Sequence, residues 1–144
     1  MKTRDAEIVF ISRICDPEQP RKLQKTTAVL QGRVGKSGSS LYLVFNAEVA
    51  DVGPADYTIR VGGKEALILR KGASPMRQPL MIGQTMTGTY GTQIGHMETK
   101  ATAEMIDIDT DASGDSGSVR LIYDLSIAGQ LVGKMMLDYR YKIG

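Results

Sequence analysis

The sequence has 144 residues, 42% of them hydrophobic and 24% charged, a balance that excludes an intrinsically disordered chain. Lys and Arg number 18 against 16 Asp and Glu, a net charge of +2 with no basic block, so nucleic acid is not an expected partner. No run of about twenty apolar residues is present and the N-terminal apolar run is short, so the expectation is a single domain over residues 1–144 with no membrane association. The single cysteine, Cys15, can form no internal disulfide, which fits a cytoplasmic setting.

In chain order, Ala6 to Ile14 is rich in β-branched residues and reads as a strand, ended by Asp16-Pro17 and a loop to Lys22. Thr26 to Val34 alternates with period two, and GKSGSS at Gly35 to Ser40 is a turn. Leu41 to Glu48 (LYLVFNAE) is a strand, while Ala50 to Ala55, which contains Gly53-Pro54, reads as irregular. Tyr57 to Val61 and Ala66 to Lys71 form a hairpin about Gly62-Gly63. After Pro75 and Pro79 come a short strand at Leu80 to Ile82, a turn at Gly83-Gln84 and a strand at Thr85 to Tyr90, whose threonine face is the wet one.

A tight connection at Gly91 to Gly95 leads into His96 to Ile108, where alternation breaks near Glu104 to Ile106 and predicts a β-bulge. Asp109 to Gly117 is a polar turn. Ser118 to Ser126 and Leu131 to Tyr141 are the last strands, the final one placing Leu131, Met135, Leu137, Tyr139 and Tyr141 on one inward face. The fold class is therefore all-β. A single antiparallel meander of about 8 to 10 strands, with no helical segment, closes into a barrel because closure removes the sheet edges.

The RKG at Arg70 to Gly72, TYGT at Thr89 to Thr92, Gly95, and YDL at Tyr123 to Leu125 stand in an order and spacing that resembles the YwiB-like family of small bacterial proteins. Gly32 and LYLVFNAE add to the likeness, which covers roughly Lys22 to Lys142. In one departure, Leu80 and Met81 stand where the family has an aromatic residue. The resemblance implies a lipocalin-like (calycin-type) β-barrel and no established activity.

A barrel of this size is either filled by side chains or encloses one small ligand. The first expectation is a non-enzymatic protein that binds a small amphipathic or anionic ligand in the barrel through Arg70, Tyr90, Tyr123 and Glu48. The plain counterpart is a set of core tyrosines and a rim ion pair, with Glu48 or Asp124 neutralising Arg70. The alternative function is a filled barrel that recruits a protein or a second copy of itself as a homodimer. An acid-base enzyme pairing Glu48 with Tyr90 or Tyr123 ranks last. No cofactor motif is present. His96 and Cys15 fall in distant strands, and Asp107 to Asp115 lacks the glycine and the bidentate glutamate of an EF-hand loop, so neither a catalytic dyad nor a metal site is expected.

Overall fold

The structure, a computed structural model, describes residues 2–19, 21, 23–49 and 52–144. Its elements are the strands β1 (Thr3–Cys15), β2 (Leu23–Ser37), β3 (Ser40–Val49), β4 (Gly53–Gly62) and β5 (Glu65–Gly72), then β6 (Met76–Met81), β7 (Thr85–Thr92), β8 (Gly95–Thr110), β9 (Ser116–Ile127) and β10 (Gln130–Ile143). Each strand pairs antiparallel with its chain neighbours, and β1 pairs with β10 to close the ring. Ten strands in simple sequential order follow from short turns between alternating segments, and closure leaves neither terminal strand with a bare edge. Among the described residues no helix is long and apolar enough to cross a membrane.

Because the strands alternate in direction, the connections fall at two ends. The turn end holds the links β2 to β3, β4 to β5, β6 to β7 and β8 to β9; the loop end holds the other five. At the turn end the links are tight and polar, and Gly38 and Gly63, each at φ +61°, supply the left-handed conformation a two-residue hairpin needs.

The inward faces of β1, β3, β4, β6 and β9 put Ile8, Leu43, Ile59, Leu80 and Leu121 in the core with no more than 1% of their surface exposed. Each such side chain contributes about 1.5–3 kcal/mol by leaving water. Gly32 lets this packing close: a Cβ there would stand 2.8 Å from Ile8 Cδ1 and 2.5 Å from the Val44 carbonyl oxygen.

The expected bulge in β8 is present. The β8–β9 register shifts between Ala103 and Met105, with Glu104 as the extra residue, so the inward set changes from Ala101 and Ala103 to Ile106 and Ile108. Glu104 forms an ion pair with Lys134 outside. A second shift between Leu131 and Gly133 in β10 corrects the sequence reading of the last strand. Val132 is the extra residue, the face parity reverses there, and Leu131 is 55% exposed instead of sharing the inward face of Leu137 and Tyr139.

Two other expectations are revised. Gly53-Pro54 belongs to β4, where proline is tolerated because it sits at the strand's start; Ala50 and Asp51 of the expected irregular stretch lie outside the described residues, as do Pro20 and Lys22 of the β1–β2 loop. The short strand expected at Leu80 begins at Met76 and includes Pro79. It can do so because β6 keeps only two pairs with β7, Met76 with Tyr90 and Arg77 with Thr89. Beyond them the side chain of Gln78 takes over from the ladder, its amide donating to the carbonyls of Met86 and Pro79 while its oxygen accepts from Thr99 Oγ1.

Candidate functional site

The hairpin β4–β5 sets Tyr57 opposite Arg70, and the ladder continues through Met76 to Tyr90. Partners in a ladder share a face, and Tyr57 lies on the apolar face of β4 with Ile59 and Val61. Arg70 therefore points into the barrel, near the loop end. Its guanidinium carbon lies 5.5 Å from the centroid of Tyr90 and 5.9 Å from that of Tyr57, within cation–π range of both rings.

Arg70 Nε donates to the carbonyl of Ser74 at 2.6 Å. Ser74 holds φ +48°, a left-handed conformation that non-glycine residues seldom adopt, and so turns the β5–β6 loop back onto the guanidinium. Among the described residues the buried Arg70 Nη2 has no acceptor, and no carboxylate forms an ion pair with Arg70. A buried donor on a charged group left without a partner costs more than about 1–3 kcal/mol, so this nitrogen is an unmet demand for an oxygen ligand.

The aromatic rings continue from Arg70 across the interior. Tyr57 stacks on Phe45 at 5.0 Å and Phe10 on Tyr139 at 4.7 Å, with Phe45 and Tyr139 at 6.1 Å joining the two pairs. Tyr57, Arg70 and Tyr90 are half-buried, whereas Tyr123 and Tyr139 are buried. Burial raises the Tyr123 hydroxyl pKa well above the usual tyrosine range, with the Arg70 charge pulling the other way. Burial also raises that of Tyr139, helped by Tyr123 and Tyr57. Both hydroxyls stay neutral at physiological pH and can donate or accept a hydrogen bond.

Of the four residues singled out in the sequence, the structure brings Arg70, Tyr90 and Tyr123 to this interior cluster and leaves Glu48 out. Glu48 lies opposite Pro54 on the outer face of β3 and is exposed. It neither neutralises Arg70 nor converges with Tyr90 or Tyr123, and Asp124, on the outer face of β9, does not pair with Arg70 either. Sequence reasoning missed Tyr57, although the signal was present: a two-residue turn anywhere in Gly62 to Lys64 keeps Arg70 on the face of Tyr57 and Ile59.

His96 is exposed at the start of β8 and Cys15 ends β1, so they are not neighbours in any ladder. In the β8–β9 turn, Asp111 accepts hydrogen bonds from Ser113 Oγ, Ser116 Oγ and the Gly114 N–H, which lower its carboxyl pKa and explain its conformation without a metal. No cluster of three or more metal-ligating side chains occurs among the described residues.

A family model described as Domain of unknown function (DUF1934) matches residues 10–138. The chain belongs to this family. A curated relative, the uncharacterized beta-barrel protein YwiB of Bacillus subtilis (strain 168), is 26% identical over 92 residues, which cover 64% of this chain and 63% of YwiB. The crystal structure of the ywiB protein from Bacillus subtilis superimposes with a TM-score of 0.84 over 99% of this chain and 93% of that one, at 22% identity. The DUF1934 chain thus shares the barrel fold of YwiB, as the RKG, TYGT and YDL segments led one to expect.

Proposed function

We propose that this β-barrel protein is a non-enzymatic binding protein that takes a small anionic ligand at the aromatic end of its barrel. The observation that carries the reading is Arg70 Nη2: a buried guanidinium nitrogen, held between two tyrosine rings, with no acceptor and no ion-pair partner among the described residues. An incoming carboxylate or phosphate oxygen meets that demand, and the planar guanidinium favours oxyanions over spherical ions. Tyr90 and Tyr57 are the walls of the site, and Tyr123 supplies a neutral hydroxyl on its floor. Glu48 has no part in it.

Native mass spectrometry of the protein purified from its source cells, under gentle and then denaturing conditions, tests the reading. The expected result is a stoichiometric extra mass that is lost on denaturation and absent from Arg70→Lys. A clean monomer or homodimer mass overturns it in favour of the second reading, an interaction module. The packed turn end of the barrel supports that alternative, since Leu43, Ile59 and Val61 leave no measurable surface there.

A further inference from the structure

The ring of strands is complete, but one of its ladders is not. β2 pairs with β1 along its whole length down to Leu23, whereas its pairing with β3 ends at Gly32. Among the described residues, the stretch from Leu23 to Gln31 therefore has no backbone partner on the side away from β1. The interrupted β6–β7 ladder is treated differently, since there the Gln78 amide stands in for the missing strand. Among the described residues nothing comparable caps β2.

The β2–β3 hairpin fixes which backbone groups are free. Its two-residue turn, Gly38-Ser39, makes the flanking Ser37 and Ser40 a hydrogen-bonded pair. By the alternation of an antiparallel ladder, the N–H and C=O groups of Leu23, Lys25, Thr27, Val29 and Gln31 then point to the bare edge. The devices that protect a lone edge are nearly absent: the stretch contains no proline and no bulge, and Lys25 is its one charge. Instead Leu23 and Val29 lie on its outer face, 48% and 63% exposed. A bare edge of this length accepts one kind of occupant, an extended strand.

The residues of the edge say which strand. Leu23 and Val29 stand three residues on either side of Thr26, so antiparallel pairing with a second copy, about a twofold axis at Thr26, sets each against the other. The same register puts Lys25 against Thr27, so the one charge meets no like charge, and Thr26 against Thr26 of the second copy. It also obeys the hydrogen-bond parity, because Leu23, Lys25, Thr27 and Val29 then oppose residues whose backbone groups are the free ones. A register slipped by one residue would oppose them to groups already bonded to β1. We infer that this chain forms a twofold homodimer in which two β2 edges pair antiparallel, centred on Thr26, and join two barrel walls into one sheet. The inference does not rest on the anion site.

Sedimentation equilibrium of the intact protein tests this, with circular dichroism to check the fold of each variant. The native chain is expected to be a dimer in the micromolar range. Thr27→Pro removes an N–H that faces only the bare edge, and Val29→Lys puts a charge on the seam at an exposed position, so both spare the ladder with β1. Each change enters the seam twice and is expected to weaken the dimer by roughly tenfold or more. Met105→Lys, at an exposed position on β8, should leave it unchanged. Mild oxidation should cross-link Thr26→Cys into a covalent dimer and should not do so for Gln24→Cys, which the register sets against Ala28. A native protein that stays monomeric throughout the micromolar range overturns the inference and leaves the edge to a strand of a different protein. A dimer that Val29→Lys leaves at native strength places the interface elsewhere and overturns it, as does cross-linking of Gln24→Cys in preference to Thr26→Cys. The native measurement and Val29→Lys decide the matter even if Thr27→Pro fails to fold.

Discussion

The two ends of the barrel interior are built from different materials. Toward the turn end Leu43, Ile59, Val61 and Leu121 pack with none of their surface exposed, and the links outside are short and polar. Toward the loop end the interior is aromatic, includes a guanidinium with an unpaired nitrogen, and is ringed by exposed apolar residues. The contrast teaches that a small barrel can gather its aliphatic packing in one half and its aromatic and cationic groups in the other, while each half keeps one unsatisfied buried polar atom, Tyr141 Oη toward the turn end and Arg70 Nη2 toward the loop end. Aliphatic side chains interlock without directional demands, whereas a buried guanidinium must find oxygens or remain unsatisfied.

Breaking the aliphatic half should have the largest effect. Leu43→Ala and Ile59→Ala are each expected to lower stability by about 2–5 kcal/mol in urea denaturation, because each leaves a cavity in a fully packed region. Gln78→Ala comes next, at about 1–3 kcal/mol by the same measurement. It strands the Met86 carbonyl and the Thr99 hydroxyl where the β6–β7 ladder has stopped.

The aromatic half should show itself in alkali. The hydroxyl pKa values of Tyr123 and Tyr139 are raised in the folded state above the ordinary 10.0, so their contribution to stability is complete below pH 10.0. It is lost as pH rises from there through the folded values, because the unfolded chain ionises first. Thermal melts across that range should show a falling midpoint, and the fall should be shallower in Tyr139→Phe; a slope unchanged by the substitution would remove Tyr139 from the account. The smallest effect on stability is expected from Arg70→Met. Removing an unsatisfied buried donor offsets the lost cation–π contacts and the lost Nε–Ser74 hydrogen bond, so urea denaturation should move by less than about 1 kcal/mol in either direction. A loss as large as that of Leu43→Ala would show that Arg70 is part of the structural core and erase the distinction between the halves.

Much of the fold was legible because its signals are local. Period-two alternation, glycine turns and the break near Glu104 gave the order of the strands, their number to within about two, and the β8 bulge. The site was legible only in part. Arg70, Tyr90 and Tyr123 carry enough chemistry to be picked out singly, but Glu48 was grouped with them on chemistry alone, and its strand turns it to the opposite face. Tyr57, the ring that completes the guanidinium's enclosure, could be placed only through the hairpin register.

By itself the sequence determined an all-β meander of about 8 to 10 strands joined by short turns, since turns and alternation are written in adjacent residues. The tertiary structure decided which chemistry meets which. Strand parity is a long-range property: one extra residue at Val132 turned Leu131 outward, and only closure of β1 on β10 brought Tyr139 within 6.1 Å of Phe45 on β3. Contacts across the inside of a barrel join residues with no short-range relation in the chain, so they exist only once the ring has closed.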